Sequence, residues 1–175
     1  MAKASPNTAH KVIASLENNF EVQIITQNID DLHERAGSTR VLHLHGEIFK
    51  KCSSWDNCII DEIRNDINVG ELAPDGGQWR PYIVWFEEPV PMIEQAIPVM
   101  QDADIFVLVG TSLQVYPAAG LMQFLHPDIP KYIIDKKIPP VSFYQNVITI
   151  EKPATEGVEE LCRFLGITNY EYPSQ

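Results

Sequence analysis

The sequence predicts an α/β protein: a parallel sheet with helices on both faces, interrupted by a small inserted lobe. Three observations carry this reading. Short apolar runs of strand length alternate with segments of helical spacing, the pattern that layers helices on a parallel sheet. The clearest run, residues 104–109 (DIFVLV), is apolar at consecutive positions after its first, as suits a strand buried on both faces. Residues 47–80 show neither helical nor strand period and therefore read as an insertion.

The elements follow in order. Ser5-Pro6 reads as a helix start with Pro6 at the first helical position. Ala9, Val12, Ile13 and Leu16 then keep helical spacing. Residues 21–26 carry Val22, Ile24 and Ile25 and read as a strand that ends in Thr26-Gln27-Asn28-Ile29-Asp30. The lobe holds Cys52, Cys58, Trp55, Trp79 and the turn Pro74-Asp75-Gly76-Gly77. Residues 91–101 read as a helix that Pro98 kinks or shortens. The DIFVLV strand stops at Gly110-Thr111-Ser112, and a small helix is expected over about residues 117–125. Residues 131–135 (KYIID) and 147–150 (VITI) read as strands. Residues 155–165 close as a helix with Val158, Leu161, Cys162 and Leu165 on one face.

Composition bounds the class. A chain of 175 residues suits one domain. With 45% hydrophobic and 21% charged residues it can bury a core. No apolar run approaches the ~18 residues that span a bilayer, so no membrane association is expected. The opening MAKASPNTAHK has no apolar core of the kind a secretory signal needs. Three cysteines do not make a disulfide framework, and a cytoplasmic location is expected. A formal net charge of -11 disfavours nucleic acid. It reads either as a solubility device or as a field that attracts lysine-bearing protein segments.

Chemistry is expected at the carboxyl ends of the strands, where open parallel sheets bind ligands. Two polar clusters fall there: Gln27-Asn28-Ile29-Asp30 and Gly110-Thr111-Ser112. Small hydroxyl residues after a glycine allow a ribose or phosphate to approach the backbone; the same tripeptide also serves as a plain turn. His43 and His45 alternate within Leu42-His43-Leu44-His45-Gly46, which places both on one side of an extended segment. They read either as a general base near neutral pH or as a structural pair bonded to backbone. His10, His33 and His126 read as structural or solvated. Cys52 and Cys58 are separated by five residues, and a structural zinc site needs four ligands. The remaining Cys162 lies in the final helix, leaving only Asp56 or Asp75 to complete a site, so zinc is not expected.

Together these pieces resemble the sirtuin family, the NAD-dependent protein lysine deacylases. The matching strings are Pro6-Asn7-Thr8-Ala9-His10, Thr26-Gln27-Asn28-Ile29-Asp30-Asp31-Leu32-His33, Ala36-Gly37 and Leu44-His45-Gly46. Further along come Arg80-Pro81-Tyr82-Ile83-Val84-Trp85-Phe86 and Gly110-Thr111-Ser112 with Val115-Tyr116-Pro117-Ala118-Ala119. The resemblance implies an incomplete Rossmann-like sheet. Residues 1–46 and 81–175 would form a partial NAD-binding domain, and residues 47–80 a degenerate zinc module. It implies NAD as cofactor and an acyl-lysine protein or peptide as substrate, with nicotinamide and O-acyl-ADP-ribose as products. His45 matches the general base acting on the ribose hydroxyls, and Asn28 and Asp30 match catalytic residues at the nicotinamide end. Gln27 and Ile29 complete that cofactor-lining turn. Gly110, Thr111 and Ser112 match the segment at the adenosine half, Asp135 and Lys136 the adenine ribose, and Ala154 the adenine. Val84, Trp85 and Phe86 match the strand that pairs with substrate peptide, and Glu87 follows directly.

The sequence also departs from the family pattern. It contains no G-x-G, the phosphate loop that cradles a pyrophosphate at a helix N-terminus. The first strand of the family's sheet has no counterpart, so exposed strand edges and a homo-oligomer are expected. Ala73-Pro74-Asp75-Gly76-Gly77 stands where the second cysteine pair belongs, and Trp55 and Trp79 are expected to replace the metal by packing. Glu87 stands in place of glycine and Asp135 in place of asparagine. The alternative these departures raise is a catalytically impaired module that binds nucleotides or proteins.

Overall fold

The computed structural model describes residues 3–111 and 118–167. The described residues form two parallel sheets and one antiparallel sheet. β1 (Ile24–Thr26) pairs with β2 (Val41–His43) in parallel. β6 (Phe106–Val109), β7 (Lys131–Asp135) and β8 (Val147–Glu151) form a second parallel sheet in that order. Between them, β3 (Gly46–Ser53) pairs antiparallel with β4 (Ile60–Glu62) and β5 (Trp79–Ile83).

Strand periodicity sorts the apolar side chains onto two helical layers. Tyr132, Ile134, Val107, Val109, Ile148 and Ile150 pack beneath α1 (Thr8–Ser15) and α5 (Ala154–Phe164), around Val12, Val158 and Leu161. Phe106, Leu108, Ile133 and Val147 point the other way, toward Ala96 and Met100 of α3 (Ile93–Gln101) and Leu121 of α4 (Ala118–Leu121). The expected α/β class with helices on both faces of a parallel sheet is therefore present. Val22 of the segment before β1 joins the first layer and Ile25 of β1 the second. The two parallel sheets thus share both cores although no ladder bond joins β1 to β6 among the described residues.

Several boundaries differ from the sequence reading. The first helix starts at Thr8, not at Pro6, because Asn7 caps it. The Asn7 side chain accepts from His10 N at 3.2 Å, and Asn7 N donates back to His10 Nδ1 at 3.4 Å. Pro98 does not end α3, which runs on to Gln101. Pro98 is exposed, so the carbonyl it leaves unbonded lies on the solvent side. The expected small helix is α4 followed by a 3-10 turn over Met122–Phe124; its start at Pro117 lies outside the described residues. The lobe, which has no sequence period, is organised by the antiparallel sheet β4-β3-β5, bulged between Gly46 and Lys51.

Candidate active site

The turn after β1 is shaped by its own side chains. Asn28 N donates to Thr26 Oγ1 at 3.1 Å, and Leu32 N donates to Asp30 Oδ1 at 3.1 Å at the head of α2 (Leu32–Arg35). These local bonds hold residues 27–30 out of both helix and strand and aim two successive carbonyls at the β2–β3 connection. Gln27 O accepts from His45 Nδ1 at 2.8 Å, and Asn28 O accepts from His43 Nδ1 at 3.1 Å.

The two histidines are not equivalent, and they do not lie along one extended segment as the alternation predicts. β2 ends at His43, and Leu44-His45 form a turn into β3. His43 is buried and also reaches Glu34 Oε1 with Nε2 at 2.7 Å. Both ring nitrogens of His43 are thus engaged by oxygen atoms. His43 is thereby committed to the fold. Among the described residues the His45 ring has one hydrogen-bond partner, the Gln27 carbonyl. Donation from Nδ1 to that carbonyl leaves Nε2 with no bond to any described residue.

His45 also ties the turn to the following segment. Its carbonyl accepts from Val84 N at 2.9 Å, and Gly46 pairs with Ile83. Gly46 is required here: its φ is +80, and a Cβ would lie 2.2 Å from Tyr82 O. Beyond Val84 the chain makes a turn at residues 85–88, closed by Glu88 N donating to Trp85 O at 3.1 Å. Arg80 grips this turn, donating to both Glu88 carboxylate oxygens at 2.9 and 3.0 Å and to Ile83 O at 3.1 Å. That pairing raises the Arg80 pKa and lowers that of Glu88. Glu87 has φ +72, a left-handed backbone that costs a residue with Cβ about 1–2 kcal/mol. Phe86 is 99% exposed and Trp85 51%.

The second polar cluster closes on the first. Gly110 N donates to Ile134 O at 2.9 Å, and Gln27 Nε2 donates to Thr111 Oγ1 at 3.4 Å. Gly110 has φ +65, and no described residue lies within 4 Å of where a Cβ would sit. Ser112 lies outside the described residues. Asp135 ends β7, its Oδ1 accepting from Lys137 N at 3.0 Å; Lys136 follows in solvent, and Ala154 opens α5. All three stand at the carboxyl end of the β6-β7-β8 sheet, as Gly110 does. A cavity of about 220 Å³ touches Ile29 and Asp30 but is otherwise lined by Asp31, Glu34, Glu47, Phe49, Lys50, Glu62 and Arg64. It lies toward the lobe and is smaller than the ~300–1,000 Å³ usual for ligand pockets.

The lobe's cysteines and carboxylates are engaged separately. Cys52 is buried with Sγ 3.6 Å from Asn57 Oδ1, whereas Cys58 is exposed. Asp75 accepts from Ser53 Oγ at 2.7 and 2.9 Å and from Gly77 N at 3.0 Å, and Asp56 accepts from Cys58 N. Among the described residues no three His, Cys, Asp or Glu side chains converge. Trp79 packs as expected, at 8% exposure; Trp55 lies against Gly76 and Gly77 but is 74% exposed, because its other face meets solvent.

Sequence reasoning missed Glu34, Arg80 as a clamp, and Glu88. Arg80 and Glu88 are eight residues apart, and only the reversal after β5 brings them together. The opposite charges flanking an aromatic stretch were the available signal.

Comparison with known proteins assigns the family. The family model described as Sir2 family matches residues 1–117. An NAD-dependent protein deacylase of Bacteroides thetaiotaomicron is 46% identical over 171 residues, covering 94% of this chain and 73% of the relative. One from Helicobacter pylori is 47% identical over 156 residues, covering 89% and 68%. A Sir2 homologue in complex with NAD superposes with a TM-score of 0.80 at 32% identity, over 94% of this chain and 66% of that one. Sir2 bound to an acetylated peptide gives 0.76 at 28%, over 95% and 73%. Matching fold, order of motifs and length of alignment place this chain in the Sir2 family.

Proposed function

We propose that this chain carries out NAD-dependent removal of acyl groups from protein lysine side chains. The observation that carries the reading is the His45 ring, held by Gln27 O through Nδ1 with no described residue bonded to Nε2, between the turn at residues 27–30 and Val84 just past β5. Its Sir2-family membership supports it. NAD, when bound, supplies the ribose carbon that accepts the acyl oxygen and a nicotinamide leaving group, and water completes release of lysine and O-acyl-ADP-ribose. Gln27, Asn28, Ile29 and Asp30 would hold the nicotinamide-ribose end. Gly110, Thr111, Ser112, Asp135, Lys136 and Ala154 would hold the adenosine half. The position of Gly110, Asp135 and Ala154 at the carboxyl end of the β6-β7-β8 sheet supports that assignment.

His45 Nε2 takes a proton from a ribose hydroxyl, and the Gln27 carbonyl steadies the resulting imidazolium. Asn28 and Asp30 present polar groups to the nicotinamide end. Val84, Trp85, Phe86 and Glu87 receive the substrate, the main chain adding a strand to it and the aromatic rings excluding water. Residues 1–46 and 81–175 act as the nucleotide-binding part and residues 47–80 as the lobe beside it. Free Cys52, Cys58 and Cys162 support a cytoplasmic location; no described helix is long and apolar enough to cross a membrane.

Two measurements test the reading. Nicotinamide release from NAD with an acetyl-lysine peptide should fall ~10²–10⁴-fold in His45→Ala, with ADP-ribose affinity retained. Unchanged release would remove His45 from the role of base. A second reading is a nucleotide- or protein-binding module without turnover. ADP-ribose binding with no nicotinamide release would select it.

A further inference from the structure

The segment after β5 is held on two sides. Val84 N is bonded to His45 O, and Arg80 clamps Glu88 and Ile83. Glu88 further accepts from Trp85 N at 3.0 Å. Within this frame Glu87 occupies the third position of the turn at residues 85–88, where φ is +72. Turns of this kind take glycine or asparagine there. Among the described non-glycine residues only Asn146 shares the sign of φ, and asparagine tolerates it. Glutamate gains nothing locally in return. Its side chain is exposed, and no described residue bonds to or pairs with its carboxylate. The neighbouring Glu88 charge is matched by Arg80. The turn therefore presents one uncompensated negative charge, Glu87, beside exposed Trp85 and Phe86.

Strain kept without an internal contact points outward, to what the residue offers a ligand. An acylated lysine is itself uncharged, so a carboxylate at the rim reads the residues flanking it. We propose that Glu87 is a specificity-determining residue that selects acyl-lysine segments carrying lysine or arginine next to the modified residue. The proposal rests on the reading of residues 84–87 as the substrate strand. The chain's formal charge of -11 acts in the same direction at longer range.

The test is fluorescence-anisotropy binding of three acetyl-lysine peptides, flanked by lysine, glutamine or glutamate. Each is titrated into wild type, Glu87→Gln, Glu87→Gly and Trp85→Ala, at low and high salt. Wild type should bind the lysine-flanked peptide tighter than the glutamine-flanked one by roughly three-fold, the range of an exposed ion pair. It should bind the glutamate-flanked peptide more weakly still. Glu87→Gln and Glu87→Gly should both erase most of that ranking, as should high salt. Trp85→Ala should weaken all three peptides together. An unchanged ranking in Glu87→Gln, with Trp85→Ala weakened, overturns the proposal and leaves the substrate strand standing. Unaltered binding in Trp85→Ala, or no binding of any peptide to wild type, overturns the substrate strand and the proposal with it.

Discussion

At the scale of single residues, partners assign roles that residue type alone leaves open. Five histidines occur in the chain, and three of them sit around the turn at residues 27–30 with different fates. His43 is held at both nitrogens, His45 at one. His33 stacks on His10 with ring centroids 4.8 Å apart, and its Nδ1 is buried without a partner. Burial lowers the pKa of both His10 and His33; the neighbouring His10 lowers His33 further, while Asp30 pulls each back up and Glu34 also raises His33. The unfolded chain therefore takes up protons on these rings more readily than the folded one. Their contribution to stability is present above the ordinary histidine value of about 6.5 and is lost as pH falls below it. The melting temperature should drop on acidification from pH 7.5 to 5.5, and His33→Phe should show a smaller drop; an equal drop would clear His33 of the effect. Thermal melts of the two proteins across that range check it.

At the scale of elements, close approach decides which substitutions the fold accepts. α5 lies on β7 and β8 through Gly157, where a Cβ would fall 2.2 Å from Ile134 Cγ2 and 3.4 Å from Ile150 Cγ2. Ile134 has no exposure and cannot swing outward. Alanine would gain up to about 1 kcal/mol of helix propensity, but overpacking of a buried face costs about 1–3 kcal/mol, and a 2.2 Å contact lies at the severe end. Gly157→Ala should therefore lose on the order of 2 kcal/mol in urea unfolding; a gain would mean that α5 can lift off the sheet. The lobe follows a different rule. Its sheet is pinned by Ser53, fully buried, and Asp75, whose pKa is held low by the Ser53 hydroxyl and the Gly77 amide. Polar bonds and the Trp79 ring, beneath Lys51 Nζ at 4.5 Å, hold together what the absence of a sequence period left undescribed.

At the scale of the molecule, β1 and β6 each use one edge of their backbone, in β2 and β7, and leave the other unpaired among the described residues. Their carboxyl ends are nonetheless joined by Gln27 and Thr111. Phe106, Val107, Leu108 and Val109 form an apolar strand, yet each is only half-buried. Unpaired apolar edges recruit further strands. Static light scattering across a concentration series should show self-association of this chain, opposed only in part by its net charge. A constant monomer mass at high concentration would refute that expectation.

The sequence by itself determined the class of the fold, the order of its strands and helices, and most of the polar clusters at the strand ends. Continuous apolar runs such as FVLV and KYIID and the helical spacing around Val158 act over a few residues, so they are legible locally. The motif strings around Gln27, His45 and Thr111 marked residues that the fold brings together. Tertiary structure alone decided which ring partners each histidine has, because the Gln27 carbonyl and the His45 ring are 18 residues apart and meet only through the parallel register of β1 and β2. It decided likewise the antiparallel lobe, the Arg80–Glu88 clamp and the left-handed Glu87 that the clamp frames. These depend on where chain reversals place distant backbone, and no local pattern of side chains encodes that placement.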